Sequence, residues 1–400
     1  MLVEYEKGWK INEIMPVNSV GIVTSRDDFV IDFDENKLKK RIVEFLDSNV
    51  SNETIKQKYK LREKEKWIID DCRNNLKEEK TRIEEYISNC LYRPFDIRKI
   101  FYHDCIIERT RREIMYHMLE GENVCLLAKR QSKREPFSYI WCSNQMCESC
   151  VFESAYANNS VLPLYLYPES GKGKQSDMDY ENWPRGKDGR VTNLSPEFVE
   201  ELAEKVKLEF VSDGVGDLKK TFGPEDVFHY IYAVFHSPEY RRRYAEFLKI
   251  DFPRVPLPKS KLLFCKLCNV GEELVKLHLM EAPILEDDKK RPKFPAEGNS
   301  VVEKGYPKYV AHADRPQKGK VYINKDQYFE GVRPEVWEFH IGGYQVCEKW
   351  LKDRRQRELS YEDISHYEKI VVALGETIRL MKQIDEIIDA HGGWPITPVR

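Results

Sequence analysis

The apolar positions of this chain change period several times, and the changes mark its elements. Gly21-Ile22-Val23 and Phe29-Val30-Ile31 are short β-type runs split by the polar Arg26-Asp27-Asp28. From Asn36 to Cys90 charged residues dominate, yet Ile69, Cys72, Leu76, Ile83 and Ile87 fall on one stripe. That stripe predicts a long amphipathic helix over 53–90. Between Tyr92 and Pro168 the period shortens. Segments 99–102, 124–128, 138–141 and 164–167 read as strands, with one helix near 111–119. Residues 169–193 hold four glycines, a proline and many charges without periodicity, and read as a surface loop or boundary.

Helical periodicity returns at Ser195-Pro196-Glu197, and again at Ser237-Pro238-Glu239 after a helix over 227–235. Serine followed by proline is a good helix start. The prolines of 251–258 force an extended segment, 261–280 is helical, and 301–329 reads as strands with turns at Gly305 and Lys318-Gly319. Ser360 then caps a helix whose apolar positions are Ile364, Tyr367, Val371, Leu374, Ile378 and Met381. Steps alternating three and four make a narrow seam for another helix. The 69–87 stripe echoes that spacing, so the two helices are expected to pack together and bring the chain ends near each other. The class predicted is α+β: a mixed sheet with long packing helices at both ends. Three domains are expected: 1–90, a strand/turn segment with a helical connector; 91–220, an α+β recognition domain; and 221–400, a second, helical domain.

Composition narrows the function. With 41% hydrophobic and 12% aromatic residues, the 400-residue chain is long and apolar enough to fold with proper cores. Lys+Arg 65 against Asp+Glu 68 leaves a net charge of −3, which excludes a uniformly basic coat but allows a local basic face. No apolar run is long enough to span a bilayer, and Glu4, Glu6, Lys7 and Lys10 do not suit a signal peptide. Ten cysteines without secretory features point to reduced thiols in a cytoplasm.

The basic residues cluster near aromatics. Arg93, Arg98, Arg109, Arg111 and Arg112 surround the turn into the predicted 111–119 helix. Lys129-Arg130-Gln131-Ser132-Lys133-Arg134 follows a strand, where a loop projects and dense charge is expected to stay in solvent. After Gly342-Gly343, a short helix has Val346, Cys347, Trp350 and Leu351 on one side; Lys349, Lys352, Arg354, Arg355 and Arg357 crowd the other. Arginine forks bridge phosphates or pair with guanine, and Gln131 suits adenine. The competing reading is a set of local ion pairs; Asp96 in particular is placed to hold one of its flanking arginines. Arg241-Arg242-Arg243 is a weaker candidate, because consecutive helical residues point in three directions. Cys147/Cys150 and Cys265/Cys268 have the two-residue gap of a zinc site, but lie far apart and sit among apolar residues, so buried thiols are expected. A methyl-donor glycine turn, an Asn/Asp-Pro-Pro-aromatic tetrad, a phosphate-binding loop and a nuclease constellation are all missing from the sequence.

Word-like runs point further. The run from Val336 to Arg354 (VWEFHIGGYQVCEKWLKDR) resembles the C-terminal specificity region of type ISP restriction–modification enzymes. Those are single polypeptides joining a nuclease, a helicase-like translocase, an N6-adenine methyltransferase and a DNA target-recognition region. Asn18–Asp27, Tyr92–Arg98, Leu162–Tyr167, Tyr230–Pro238 and Gly319–Asn324 match in the same order, so the resemblance spans nearly the whole chain. It implies a non-catalytic module for double-stranded DNA that works with an adenine methyltransferase core, in the same polypeptide or a separate subunit, and it implies neither zinc nor another cofactor. It also implies that the chain begins where such a core would already have ended, as expected of a fragment or a split gene. Two rival readings are a helical protein-interaction scaffold and a metal-dependent enzyme whose site the sequence does not reveal.

Overall fold

Strands from the beginning of the chain pair with strands from its middle, and helices from its second half cover them. The structure, a computed structural model, describes residues 2–77, 80–132, 136–153, 158–168, 185–295, 297–315 and 318–396. The two larger sheets receive their first strands from β1 (Ser19–Val20) and β2 (Ile31–Asp32), and α1 (Glu35–Leu46) follows, with Asp34 capping it through bonds from the backbone of Asn36 and Lys37. Phe29 and Val30 belong to a single helical turn, Asp27–Val30, and not to a strand.

The long helix expected over 53–90 is broken. It becomes α2 (Asn52–Tyr59), α3 (Ile69–Lys77) and a 3-10 turn (Lys80–Tyr86), after which Ile87 opens β3 (Ile87–Arg93). Lys60 ends α2 in the left-handed conformation at φ 52°. The stripe itself is real: Ile69, Cys72, Leu76 and Ile83 are all buried. Consecutive short elements facing one core keep the same apolar spacing as a continuous helix.

The strands predicted between 92 and 168 form in two sheets. β4 (Asp96–Phe101) lies between β2 and β3, and β7 (Met146–Cys147) pairs with β3 in parallel, giving a mixed sheet ordered β2–β4–β3–β7. Between these strands come α4 (Arg112–Leu119), β5 (Cys125–Ala128) and β6 (Ile140–Ser143). With β8 (Ser160–Pro163) they make an antiparallel sheet ordered β1–β8–β5–β6. All residues of β5, β6 and β8 are buried, as the continuous apolar run Val124–Ala128 predicts for a strand covered on both faces. The predicted loop over 169–193 lies mostly outside the described residues.

The helices that cover the sheets are α5 (Pro196–Val206), α6 (Pro224–His236), α7 (Pro238–Arg243) and α8 (Lys261–His278). Two of them, α5 and α7, start at the serine–proline signals. Ser195, Ser237 and Ser260 each cap a helix by accepting a backbone N–H. Behind them an antiparallel meander, β9 (Lys308–Ala311), β10 (Gly319–Tyr322) and β11 (Tyr328–Val332), leads to α9 (Val346–Lys352) and the 30-residue α10 (Tyr361–Ala390).

The α10 helix forms where its cap and periodicity predict, but its partners differ from those expected. It packs chiefly on α8 and α6. Its buried face runs Tyr367, Ile370, Val371, Leu374, Thr377, Leu380, Ile384 and Ile388, while Ile364, Ile378 and Met381 lie half-buried at its margin. A face shared by several neighbours follows the 3.6 period of the helix and not a coiled-coil seam. The chain termini are joined through α7: Asp385 accepts from Ser237 Oγ and, at 3.0 Å, from the Glu239 backbone, while Arg243 Nε donates to Glu4 at 2.7 Å. Leu374 is fully buried. Leu374→Asp is therefore expected to cost on the order of 3 kcal/mol or more, read from the midpoint of denaturant unfolding.

One polar knot ties sheet to helices. His278 stacks on Trp141 of β6, with centroids 4.1 Å apart, and its Nε2 bonds Thr377 of α10 at 2.9 Å. Full burial pushes His278 down to about 3, so the ring is neutral at physiological pH.

Candidate nucleic-acid interface

The two arginine groups singled out from the sequence, 93–98 and 349–357, meet in space. The β3–β4 turn carries Asp96 inward, where Arg98 donates Nη2 to it at 2.6 Å and Arg354, from beyond α9, donates Nη2 at 2.8 Å. Asp353 accepts from Arg98 at 3.2 Å and also pairs with Lys349; Asp363 holds Arg357 at 2.8 Å. Aromatic rings fill the gaps. Arg354 lies 3.4 Å over Trp350, and Arg98 lies 3.9 Å over Tyr92 and 4.2 Å over Phe33. Asp96 is 2% exposed and Arg354 5%. Burial pushes the Asp96 carboxyl up, but Arg354 and Arg98 together outweigh it and hold it below its ordinary range.

Asp96, Arg98 and Arg354 are therefore committed to joining the two segments. The expected hold of Asp96 on a flanking arginine is present, with Arg354 added from the other end of the chain. Arg93 is likewise turned inward, onto Glu148 at 3.0 Å and over Tyr92 at 4.0 Å. Lys352 pairs with Glu348 at 2.8 Å, and Arg355, exposed, donates Nε to Tyr306 O at 2.8 Å. Lys129 corrects the expectation that the 129–134 charges stay in solvent. It is 1% exposed, ion-paired with Glu153 and set beneath the Tyr139 ring. Lys129 continues the buried β5 strand, and an acidic partner 24 residues away neutralises it.

Other candidates face outward. Arg130 is exposed and touches Asp251 at 3.1 Å, and Gln131 donates Nε2 to Ile250 O at 3.0 Å. Lys133 and Arg134 lie outside the described residues. Arg109 is exposed at the rim of a cleft of about 670 Å³ that Lys64, Lys66 and Trp67 also line. Arg112 pairs at the surface with Asp104 at 2.6 Å, and Arg111 opens α4 from a left-handed conformation at φ 56°. The 241–243 arginines point three ways: Arg241 is buried on Phe235 O, Arg242 pairs with Glu239, and Arg243 pairs with Glu4.

One face bearing lysines and tyrosines, with Glu330 3.6 Å from Lys320, went unselected in the sequence. On the meander, Lys308 stands opposite Tyr322 and Tyr322 opposite Tyr328, while Val310 faces Lys320. Val310 is 51% exposed, and Lys320 Nζ lies 4.0 Å over Tyr328. Alternation of Lys308 with Val310 and of Lys320 with Tyr322 was the available signal. The cysteine pairs go to separate places: Cys147 Sγ faces Cys125 Sγ at 3.7 Å, and Cys268 Sγ donates to Asp226 O at 3.2 Å. Among the described residues, no group of three or more His, Cys, Asp or Glu side chains converges to hold a metal ion. Nor is any described helix long and apolar enough to cross a membrane.

The family signature of the type ISP C-terminal specificity domain matches residues 13–383. The chain belongs to this specificity-domain family. No curated protein sequence matches it. Among solved structures, the specificity domain is similar to a DrdV–DNA complex, with TM-score 0.67 and 20% identity over 92% of this chain and 36% of that one. It is also similar to the ATP-dependent type ISP restriction–modification enzyme LlaBIII bound to DNA, with TM-score 0.65 and 16% identity over 95% and 24% of the two chains. A nuclease-deletion mutant of the type ISP enzyme LlaGI, with a DNA substrate mimic, gives 0.60 and 18% over 95% and 34%. The chain thus spans between about a quarter and just over a third of the length of these chains.

Proposed function

We propose that this chain is the sequence-specific double-stranded-DNA recognition part of a type ISP restriction–modification system, acting in the cytoplasm. In this reading it carries no catalysis of its own and presents the target adenine to a methyltransferase core, in the same polypeptide or as a separate subunit. One observation carries the reading: the specificity-domain family match over 13–383, on a fold similar to three enzymes solved with DNA. The missing methyl-donor turn, base-holding tetrad and phosphate-binding loop support the non-catalytic part.

Within that reading Arg130 and Gln131, with Lys133 and Arg134 beside them in sequence, are the first recognition surface to test. The Lys308, Lys320 and Tyr322 face is the second. Phosphate contacts set position while base-edge contacts specify sequence, so the two roles separate experimentally. Duplexes with and without the cognate site are titrated across salt concentrations. Neutralising Lys133 and Arg134 is expected to flatten the log–log salt dependence by about 1 unit per lost phosphate contact. Gln131→Ala is expected to change preference at one base pair by roughly 1–3 kcal/mol, leaving the slope intact. Unchanged slope and preference in these variants, with losses in Lys308→Ala and Lys320→Ala, would move the surface to the meander. A protein scaffold would show no salt-dependent duplex affinity, and that result overturns the proposal.

A further inference from the structure

We propose that Cys72 and Cys105 are an oxidisable dithiol, a modification site at which a peroxide forms a disulfide tying α3 to the 102–111 segment. The two sulfurs stand 3.0 Å apart although their residues are 33 positions apart. Both line the cleft of about 670 Å³ already described, and Cys105 is only partly buried, so a small oxidant has a route to the pair. The Trp67 indole donates to Cys105 O at 2.8 Å and fixes that backbone in place.

A cation is installed beside them. Arg26 is stacked 3.6 Å over the Trp67 ring, and its Nε and Nη2 are buried without a hydrogen-bond partner. Burial lowers its proton affinity, and the Glu108 carboxylate, with either sulfur once it ionises, opposes that effect. A buried guanidinium with uncommitted donors, next to two sulfurs, meets the negative charge that develops when one attacks an oxidant. The chemistry balances. One sulfur attacks a peroxide oxygen, the O–O bond breaks and water leaves, giving a sulfenic acid. The second sulfur displaces that hydroxyl as water and the S–S bond forms. Two thiol protons and two electrons reduce one hydrogen peroxide to two waters. The closest comparison within the chain lacks these features. Cys125 and Cys147 face each other at 3.7 Å but are fully buried between strands, and burial pushes the Cys125 thiol well above its ordinary value.

The disulfide would clamp the segment that carries Arg109 and Arg111 onto α3. The test needs no DNA. The full chain is treated with dilute hydrogen peroxide, denatured and alkylated. Titratable thiols are expected to fall from ten to eight, and peptide mapping should find one cross-link, 72 to 105, that reductant reverses. Cys72→Ser and Cys105→Ser should each form no reductant-reversible cross-link, whereas Cys125→Ser should still form the one from 72 to 105. Arg26→Gln should slow the loss several-fold. The map of the unaltered chain decides the matter even if a variant folds poorly. Ten surviving thiols, a cross-link between other cysteines, or sulfinic acids without a cross-link would each overturn the proposal.

Discussion

Asp96→Ala is expected to destabilise the fold by about 3–5 kcal/mol, read as a fall in the denaturant midpoint at unchanged slope. The carboxylate neutralises Arg98 and Arg354 in a site where Asp96 is 2% and Arg354 5% exposed. Removing it leaves two cations stacked on Trp350 and Phe33, with only the longer contacts to Asp353 (3.2 Å) and Asp363 (3.5 Å) to offset their desolvation. The pH dependence follows from the sign of the shift. Asp96 is held below its ordinary range, so its ionised form adds stability above the unfolded-state value of about 4, and that contribution is lost as pH falls through the folded-state value. Asp96→Asn should therefore remove part of the acid-induced loss of stability that the unaltered chain shows below pH ~4. An unchanged midpoint in Asp96→Ala would mean that the 93–98 and 349–357 groups do not depend on this junction.

Glu153→Ala is expected to cost a similar amount, about 3–5 kcal/mol, because it strands the ammonium of Lys129 inside the sheet. Lys129 is 1% exposed and Glu153 5%. The double variant Lys129→Met/Glu153→Leu should recover most of that loss, since apolar groups of similar volume carry no desolvation cost. Thermal melts of the single and double variants make the comparison. If Glu153→Ala melts like the parent, Lys129 reaches solvent by a small movement and returns to the candidate DNA surface.

How much was legible varies by element. Helices with a serine cap and 3.6 periodicity formed where expected, as Ser195, Ser237 and Ser360 show. The strands at 99–102 and 124–128 also held, because both carry β-forming runs bounded by turns. The 53–90 helix did not, because an apolar stripe reports which side faces the core and not whether the backbone is continuous through Lys60. Arginine clusters were the least legible signal. The sequence locates charge and, at Asp96, one local partner, but the partners of Arg354 and Lys129 lie 258 and 24 residues away.

By itself the sequence determined the α+β class, the helix starts, the family and the placement of positive charge. Those depend on local periodicity, capping and word-like runs, which neighbouring residues specify. Only the tertiary structure decided which charges are sequestered and which face outward. Arg93, Arg98, Lys129 and Arg354 turn inward onto carboxylates; Arg109, Arg130 and Lys308 do not. Burying a charged side chain is costly unless an acceptor compensates it, and for Arg93, Lys129 and Arg354 long-range packing alone brings the carboxylate in.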